Sequence, residues 1–308
     1  MKNELVTVFG GGGFLGRYVA QELLSRGARV RIAERNPANA VRIKPLGGLG
    51  QTQLLSADLT KPRSVAQAVE GAAAVVNLVG VLKGAFDAVH RAGAEMVAKA
   101  AAAAGAKALV QVSAIGADPE SASAYARSKG QGEAAVRAAF PQATIVRPSI
   151  IFGREDQFTN RFAQMIRTAP IVPLISGNTK FQPVHVVDVA RAIAIAALDS
   201  ANHGGKTYEL GGPEVLSMEA INRWLAAAIC RDRLFVHVPK PAASLLSRLP
   251  GGPITSDQLL MLARDNVVAP DAAGFAAFGI VPTPMAAVAD AWLVKYRKHG
   301  RFSGRAEA

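Results

Sequence analysis

The chain has 308 residues, about half of them hydrophobic, so it is long enough for one large or two small domains with a sizeable core. Its 35 Lys and Arg residues outnumber its 23 Asp and Glu residues, for a net charge of +12. This excludes an acidic solvating protein and favours an anionic partner such as a nucleotide, a nucleic acid or a membrane. A single cysteine, Cys230, excludes an intrachain disulfide framework and a cysteine-built zinc site, as expected of a cytoplasmic protein.

Two apolar stretches bear on membrane insertion and targeting. The longest apolar stretch, at 71–82, is shorter than the roughly 18 residues that a membrane-spanning helix needs. The first apolar run begins at Leu5 and leaves no room for a signal-peptide core before it. The sequence therefore predicts neither a transmembrane helix nor a cleaved leader.

Short β-branched runs alternate with longer Ala- and Leu-rich periodic stretches through the first half of the chain. The predicted order is strand 5–9, helix 14–26, strand 28–33, strand 53–56, helix 62–70, strand 73–79, helix 85–104, strand 107–113, helix 124–139 and strand 143–146. This alternation indicates βαβ units, and strands that are apolar on both faces indicate a parallel sheet covered by helices. We predict an α/β fold with a doubly wound parallel sheet of the Rossmann type, in a dinucleotide-binding domain at 1–150.

After Pro148 the pattern loosens into Pro- and Gly-rich loops. Helical stretches are predicted near 155–167, 187–198, 217–229 and 284–298. We expect a smaller, partly helical C-terminal lobe at 151–308, with segments that return to the Rossmann sheet.

A run of glycines joins the first predicted strand to the first predicted helix. Gly10, Gly13 and Gly16 have the spacing G-x-x-G-x-x-G. Glycines here permit a tight turn, leave the backbone bare beside a pyrophosphate and let the helix pack closely on the sheet, while the helix N-terminus offers N–H groups to phosphates. This spacing resembles that of the short-chain dehydrogenase/reductase superfamily. The predicted nicotinamide-nucleotide contacts in this loop are Gly10, Gly12, Gly13, Phe14, Leu15 and Gly16.

The end of the second strand bears on the choice of cofactor. An acid such as Glu34 would bind the ribose 2′-hydroxyl of NAD(H), and an arginine such as Arg35 would accept the 2′-phosphate of NADP(H). Arg17 adds a second guanidinium able to reach that phosphate. We predict NADP(H), provided that Glu34 turns to solvent, with NAD(H) as the alternative. Glu34 and Arg35 are also compatible with a solvated strand end.

Further cofactor contacts are predicted after the third and fourth strands. In the short-chain dehydrogenase/reductase superfamily, an Asp such as Asp58, here followed by Leu59, commonly hydrogen-bonds the adenine amino group. The Asp58 carboxylate is equally suited to cap the helix at 62–70. Val79 and Gly80 end the fourth strand, where backbone would flank the cofactor, although Gly80 also suits a simple turn.

Three residues form a candidate catalytic set. Ser113 falls at the end of the fifth predicted strand, and Tyr125 and Lys129 follow with the spacing Tyr-x-x-x-Lys. Residues four apart share one face of a helix, so the Lys129 ammonium is expected beside the Tyr125 phenol and the nicotinamide ribose, where it would lower the pKa of the phenol. Such a tyrosine serves as general acid in carbonyl reduction, with Ser113 polarising the carbonyl. The same residues also suit a protein that holds its cofactor without turnover.

From Tyr125 onward the chain resembles a narrower family. The matching segments are Ile-Val-Arg-Pro-Ser at 145–149, Ile-Phe-Gly-Arg-Glu-Asp at 151–156, Gln-Pro-Val-His-Val-Val-Asp-Val at 182–189 and Leu-Gly-Gly-Pro at 210–213. They resemble the NADPH-binding accessory subunits of respiratory complex I, which are atypical short-chain dehydrogenases. Weaker likeness continues at 254–258 and 278–280, so the resemblance covers nearly the whole chain.

The resemblance implies a tightly held nicotinamide nucleotide, with Pro148 among its contacts and no established turnover. It also implies association with complex I subunits on the peripheral arm, close to the quinone site and to the cytoplasmic face of the inner membrane. The chain has no long N-terminal targeting extension, which favours a bacterial homologue, and Glu34 stands where the family has an apolar residue. The alternative is an active NAD(P)-dependent reductase, dehydrogenase or epimerase, acting on a small carbonyl or sugar-like substrate through Ser113, Tyr125 and Lys129.

Two charged features remain. His185 and Asp188 lie three apart at a predicted helix start, where we expect the imidazole to pack and the carboxylate to cap, and no metal site is predicted. Basic and apolar residues mix at 231–249 and in the tail after Lys295. That mixture suits anionic lipid headgroups or a protein partner, or else a solubilising face over a covered core. Nucleic-acid binding is not predicted, because no base-reading motif accompanies the charge.

Overall fold

The computed structural model describes residues 3–248 and 254–300, which form two units. The first unit contains residues 3–148, 186–210 and 269–281. The second contains the described residues of 149–185, 211–268 and 282–300. The first break in the chain therefore follows Pro148, two residues before the expected boundary at 150, and two later segments belong to the first unit.

The secondary structure consists of short strands and helices of mixed length. The strands are β1 (Leu5–Phe9), β2 (Arg29–Glu34), β3 (Thr52–Ser56), β4 (Ala74–Asn77), β5 (Ala108–Val112), β6 (Thr144–Pro148), β7 (Ile151–Phe152), β8 (Ile171–Leu174), β9 (Lys180–Phe181), β10 (Val184–His185), β11 (Thr207–Leu210), β12 (Leu216–Ser217) and β13 (Leu234–His237). The α-helices are α1 (Phe14–Ser25), α2 (Pro62–Val69), α3 (Ala94–Ala103), α4 (Ala124–Ala139), α5 (Thr159–Thr168), α6 (Val186–Leu198), α7 (Ser200–His203), α8 (Met218–Ala228), α9 (Lys240–Arg248), α10 (Ser256–Leu262), α11 (Met285–Val288) and α12 (Asp290–Leu293).

Seven parallel strands form the sheet of the first unit, in the order β11-β6-β5-β4-β1-β2-β3. Strand β1 pairs with both β2 and β4, so the strand order reverses there. In open parallel sheets the carboxyl ends at such a point form the crevice that binds ligands. The predicted doubly wound Rossmann sheet is confirmed.

Helices cover both faces of this sheet. On one face, Val65 of α2, Val97 of α3 and Val136 of α4 join a buried cluster with Val75 and Leu109 of the central strands. On the other face, α1 and α6 pack against each other, and α6 also contacts β4 and β5. Strands β4 and β5 are buried along their whole length, which explains why both of their faces are apolar.

Several elements differ from those predicted. The helix predicted at 85–104 starts as a π-helix, Asp87–Gly93, and only then becomes α3. A 3₁₀-helix at Pro37–Leu46 has no apolar periodicity by which the sequence would have revealed it. The helical stretch predicted near 284–298 is divided into α11, α12 and a 3₁₀ turn at Val294–Tyr296.

The second unit combines three two-stranded sheets with helices. Strand β7 pairs with β10, β9 with β12 and β8 with β13. Its core includes Phe152, Ile166, Leu225 and Trp292. Among the residues described, none of the helices has both the length and the apolar content that crossing a bilayer requires. Of the basic-apolar segments predicted to dock, Leu249 and the tail arginines Arg301 and Arg305 lie outside the described residues.

Candidate functional site

The glycine loop between β1 and α1 allows a close approach of backbone to backbone. Gly10 has a φ of +77°, a conformation that favours glycine. A side chain on Gly16 would collide with the carbonyl oxygen of Gly10 and with the backbone of Gly11. Gly13 is exposed, and a Cβ added there would meet only the Gly10 oxygen, at 3.3 Å. Gly10 and Gly16 are therefore required by the backbone geometry of the loop, whereas Gly13 leaves open space beside it.

A cavity of about 470 Å³ opens at the carboxyl ends of β1, β2 and β4. This volume lies within the range of small-molecule and cofactor sites. Its lining includes twelve of the predicted cofactor residues: Gly10, Gly12, Gly13, Phe14, Leu15, Gly16, Glu34, Arg35, Asp58, Leu59, Val79 and Gly80. Asn39 and Thr60 also line it. The sequence analysis missed both, because each lies in a short segment without periodicity.

Four predicted cofactor contacts are absent from the lining of this cavity: Arg17, Tyr125, Lys129 and Pro148. The Arg17 guanidinium lies 6.0 Å from the centre of the Tyr18 ring. Pro148 is buried at the end of β6, where its carbonyl oxygen accepts a hydrogen bond from Ile115 N. Arg17 nevertheless adjoins the glycine loop, because its backbone N donates to the carbonyl oxygen of Gly13 at 3.2 Å.

Glu34 points toward the glycine loop. Its Oε1 accepts a hydrogen bond from Gly12 N at 2.6 Å, and a Cβ on Gly12 would lie 3.0 Å from the same oxygen. The carboxylate lines the cavity beside Arg35. The expectation that Glu34 turns to solvent, on which the prediction of NADP(H) depended, is therefore wrong, because the loop N–H attracts the carboxylate inward.

Asp58 forms a tight turn with Thr60. Its Oδ1 accepts hydrogen bonds from the backbone N and the side-chain Oγ1 of Thr60, at 2.9 and 2.8 Å. These bonds lower the pKa of Asp58, the backbone N–H having the largest effect. Helix α2 has Lys61 at its N-cap and no side-chain cap. The capping alternative is therefore wrong, and the carboxylate is held at the cavity lining.

Ser113 and Lys129 are buried near the carboxyl end of β5. Ser113 is 5% exposed, and its Oγ has no hydrogen-bond partner among the residues that the structure describes. Lys129 Nζ donates to the carbonyl oxygen of Val112 at 3.3 Å, and a Cβ on Gly80 would lie 3.2 Å from that Nζ. The ammonium group thus lies against Gly80 of the cavity wall, and loss of water lowers its pKa to about 8.

Tyr125 lies on the same face of α4 as Lys129, with 6.0 Å between the Lys129 Nζ and the centre of the phenol ring. Burial raises the pKa of Tyr125 to about 12. The expectation that Lys129 lowers the pKa of this phenol is therefore wrong for the protein without ligand. At this separation the ammonium does not compensate for the solvation that a buried phenolate would lose.

A histidine that the sequence analysis passed over lies between these groups. The π-helix places the His90 ring against Tyr125, with 5.4 Å between ring centres. His90 Nε2 accepts a hydrogen bond from Val81 N, and Nδ1 lies 2.9 Å from Ser128 Oγ. A lone histidine inside a predicted helix gave no sequence signal for this placement.

The two residues considered for metal binding have other surroundings. The His185 ring packs on Phe152, with 5.4 Å between ring centres. Asp188 is buried in the first turn of α6. Within residues 3–248 and 254–300, no three His, Cys, Asp or Glu side chains gather closely enough to hold a metal ion.

Comparison with known proteins agrees with this geometry. Residues 6–211 match the family described as NAD dependent epimerase/dehydratase. The chain is 34% identical over 316 residues to the mitochondrial NADH dehydrogenase [ubiquinone] 1 alpha subcomplex subunit 9 of Arabidopsis thaliana, covering 96% of this chain and 79% of that protein. It is also 35% identical over 190 residues to a ceramide reductase of Caulobacter vibrioides, covering 60% of this chain and 58% of that protein.

A solved structure shows the same fold. The NADPH-dependent quinone oxidoreductase QOR2 of Escherichia coli, complexed with NADPH, superposes with a TM-score of 0.74 at 19% identity, covering 94% of this chain and 99% of that one. The sequence match extends through most of the first unit, and the likeness to complex I subunits confirms the resemblance found in the sequence. The chain belongs to the NAD dependent epimerase/dehydratase family.

Proposed function

We propose that this chain is a nicotinamide-nucleotide-binding accessory or assembly subunit of respiratory complex I, and that it holds its cofactor structurally. The observation that carries this proposal is the extent of the likeness to the Arabidopsis thaliana subunit, which covers 96% of this chain. A protein sharing only the nucleotide-binding half would match over the first unit alone. The proposed location is the cytoplasmic face of the inner membrane, with the chain attached peripherally.

The cavity of the first unit suits such a cofactor. The glycine loop, Asp58 and the Val79–Gly80 backbone would hold it, since they line one continuous cavity. The buried Ser113 hydroxyl has no hydrogen-bond partner within the described part of the chain, which supports a polar ligand group at the β5 end. Lys129 would supply a cation for the ribose hydroxyls there.

The glycine-loop end supports NAD(H) over NADP(H). Glu34 is a negative charge fixed at the end of β2 by the Gly12 N–H, where folds of this type hold the adenosine ribose. Arg35 lines the cavity and is the remaining support for NADP(H), since Arg17 does not line it. We therefore propose that the site accepts NAD(H) more tightly, with NADP(H) as the alternative to be tested.

The second candidate function is an active reductase, dehydrogenase or epimerase. It is favoured by the complete Ser113, Tyr125 and Lys129 set and by the ceramide reductase relative. In that role the nicotinamide ring would supply the hydride, Ser113 would polarise the carbonyl and Tyr125 would donate the proton.

The second unit presents a surface suited to a protein partner. In the parallel pair of β8 and β13, Leu234 lies beside Ile171 and Val236 beside Pro173, and all four are exposed. Leu234 is 61% and Ile171 53% exposed. The Arg233 guanidinium binds the carbonyl oxygens of Ile166 and Arg167 at one end of this face. Apolar side chains beside basic ones suit an apolar patch with an acidic rim on a complex I subunit.

The test is co-purification of the tagged chain from detergent-solubilised membranes of its host. We expect complex I subunits to accompany the wild type, and the double variant Leu234→Glu, Val236→Glu to release them. Val41→Glu is the matched control, because Val41 is similarly exposed, at 52%, in the first unit. If the chain elutes alone and Tyr125→Phe removes turnover of a carbonyl substrate, the enzyme alternative is correct. Recovery only with anionic lipid vesicles would assign the surface to the membrane.

A further inference from the structure

His90 is a buried titratable side chain that the proposed function leaves without a role. It is 2% exposed and lies in the π-helix Asp87–Gly93. Single π-helical turns are often found at functional sites, because the extra residue changes the direction of the side chains that follow. Here the ring points between the Gly80–Val81 wall of the cavity and the first turn of α4.

The hydrogen bonds of the ring specify one tautomer. Val81 N donates to Nε2 at 2.9 Å, so Nε2 carries no proton. Ser128 Oγ donates to the carbonyl oxygen of Tyr125 at 2.8 Å, and it therefore accepts the bond from His90 Nδ1. A chain of donors runs from His90 through Ser128 to the Tyr125 backbone, and both ring nitrogens are satisfied.

Neighbouring rings and backbone hold the imidazole in place. Phe86 stacks on His90 with 5.6 Å between ring centres, and Tyr125 meets it edge-on at an interplanar angle of 88°. A side chain on Gly132 would collide with the His90 carbonyl oxygen, so α4 approaches the π-helix directly. A Cβ on Gly80 would lie 3.6 Å from His90 Nε2 and 3.2 Å from Lys129 Nζ. His90 Nε2 and Lys129 Nζ therefore both lie close to Gly80 of the cavity wall.

An acid–base role for His90 is not available in this arrangement. Burial, together with the nearby Lys129 ammonium, lowers the pKa of His90 to about 3. The ring stays neutral at physiological pH, and neither nitrogen is open to a ligand. The role left for His90 is structural: its hydrogen bonds link Gly80–Val81 to the first turn of α4, two segments that are more than forty positions apart in the sequence.

We propose that His90 is a positioning residue, whose neutral ring ties the Gly80–Val81 cavity wall to the Tyr125–Lys129 turn of α4. This link holds the backbone that flanks the cofactor and the cation that faces it in one geometry. The proposal deepens the proposed function and rests on it, since the geometry matters only if a nicotinamide nucleotide binds there. It assigns no proton transfer to the histidine.

The test compares three changes in the full chain. His90→Phe keeps an aromatic ring against Phe86 and Tyr125 but removes both hydrogen bonds. His90→Gln restores an acceptor for Val81 N. His203→Phe is the matched control, because His203 is also buried in the first unit, bonds to Tyr208 and stacks on Phe278.

Amide hydrogen exchange in the cofactor-free chain measures the link itself. We expect His90→Phe to accelerate exchange of peptides covering 80–82 and 124–129, His90→Gln to restore slow exchange at 80–82, and His203→Phe to leave both regions unchanged. Unchanged exchange in His90→Phe, or equal acceleration in His203→Phe, would overturn the proposal.

Titration with NADH and NADPH measures the consequence. One hydrogen bond corresponds to about tenfold in an equilibrium constant. Of the two bonds that His90→Phe removes, the one from Val81 N holds the cavity wall. We therefore expect His90→Phe to bind the preferred nucleotide about tenfold more weakly and His90→Gln to recover part of the loss. Equal affinities of His90→Phe and wild type would contradict the positioning role. If the wild type binds neither nucleotide, the proposed function fails, while hydrogen exchange still decides whether the link exists.

Discussion

The two ends of the cavity are built by different means. At the glycine-loop end, backbone atoms form the site: Gly16 has no room for a Cβ, and the Gly12 N–H holds the Glu34 carboxylate. At the other end, side chains form the site: Lys129 is buried and Tyr125 is partly buried, and their pKa values are shifted in opposite directions. A backbone cradle is specified by the spacing of glycines, whereas the proton affinity of a side chain depends on how the rest of the fold buries it.

The largest expected effect is at the glycine-loop end. Gly13→Val should abolish nucleotide binding, because the side chain fills space above the loop, while the fold survives since a Cβ there meets only one backbone oxygen at 3.3 Å. Isothermal titration with circular dichroism of the same samples checks both parts. Gly48→Val, at an exposed glycine where a Cβ would lie at ordinary contact distance, 3.7 Å, from Gln51 Oε1, should bind as the wild type does. Stoichiometric binding by a folded Gly13→Val chain would contradict binding of the nucleotide at the glycine loop.

The next effect is at the other end of the cavity, where removal of a charged side chain should stabilise the fold. The pKa of Lys129 is lowered from 10.5 to about 8, so between these values the unfolded chain binds more protons and stability rises with pH. At pH 7 the folded chain holds the charged Lys129 amine away from water, which lowers the stability of the fold. Lys129→Met should therefore raise the free energy of unfolding by up to about 3 kcal/mol, while it weakens nucleotide binding. Urea unfolding at pH 7 and pH 10 measures it. Destabilisation by Lys129→Met at pH 7 would contradict the burial of a charged amine.

Nucleotide preference should follow Glu34. Replacing the carboxylate by an amide in Glu34→Gln removes the negative charge beside Arg35, and we expect the preference to move toward NADPH by about tenfold, the scale of one charge-assisted contact. Arg35→Ala should move it toward NADH. Competitive titration of both nucleotides gives the ratio. An unchanged ratio in Glu34→Gln would show that the carboxylate does not read the 2′ position.

At neutral pH the smallest effect is that of His90, which appears only as the pH is lowered. Its pKa is lowered from 6.5 to about 3, so below pH 6.5 the unfolded chain takes up a proton that the folded chain does not. Stability should therefore fall as the pH drops from 6.5 toward 3, by at most about 1.4 kcal/mol per pH unit from this residue. His90→Gln should show a shallower dependence between pH 6 and pH 4 in thermal unfolding. Parallel pH profiles for the two proteins would mean that His90 is protonated when folded.

Sequence patterns predicted the parts that depend on local spacing. The glycine loop, the alternating elements and the Tyr125–Lys129 helix face follow from periodicity and turn chemistry. The inward turn of Glu34, the bond between His90 and Val81 and the high pKa of Tyr125 depend on contacts between segments far apart in the chain. The sequence predicts an ordinary helix where the structure has the π-helix Asp87–Gly93, because one extra residue in a turn barely disturbs the apolar pattern.

In the proposed function the chain is a cofactor-holding subunit of complex I. Native electrophoresis of mildly solubilised membranes from a host carrying the tagged chain, stained for NADH dehydrogenase activity and followed by mass spectrometry of the released nucleotide, tests it most directly. We expect the tag to comigrate with the active complex and the chain purified from it to release one nicotinamide dinucleotide. Migration of the chain by itself, with no nucleotide released on denaturation, would contradict it.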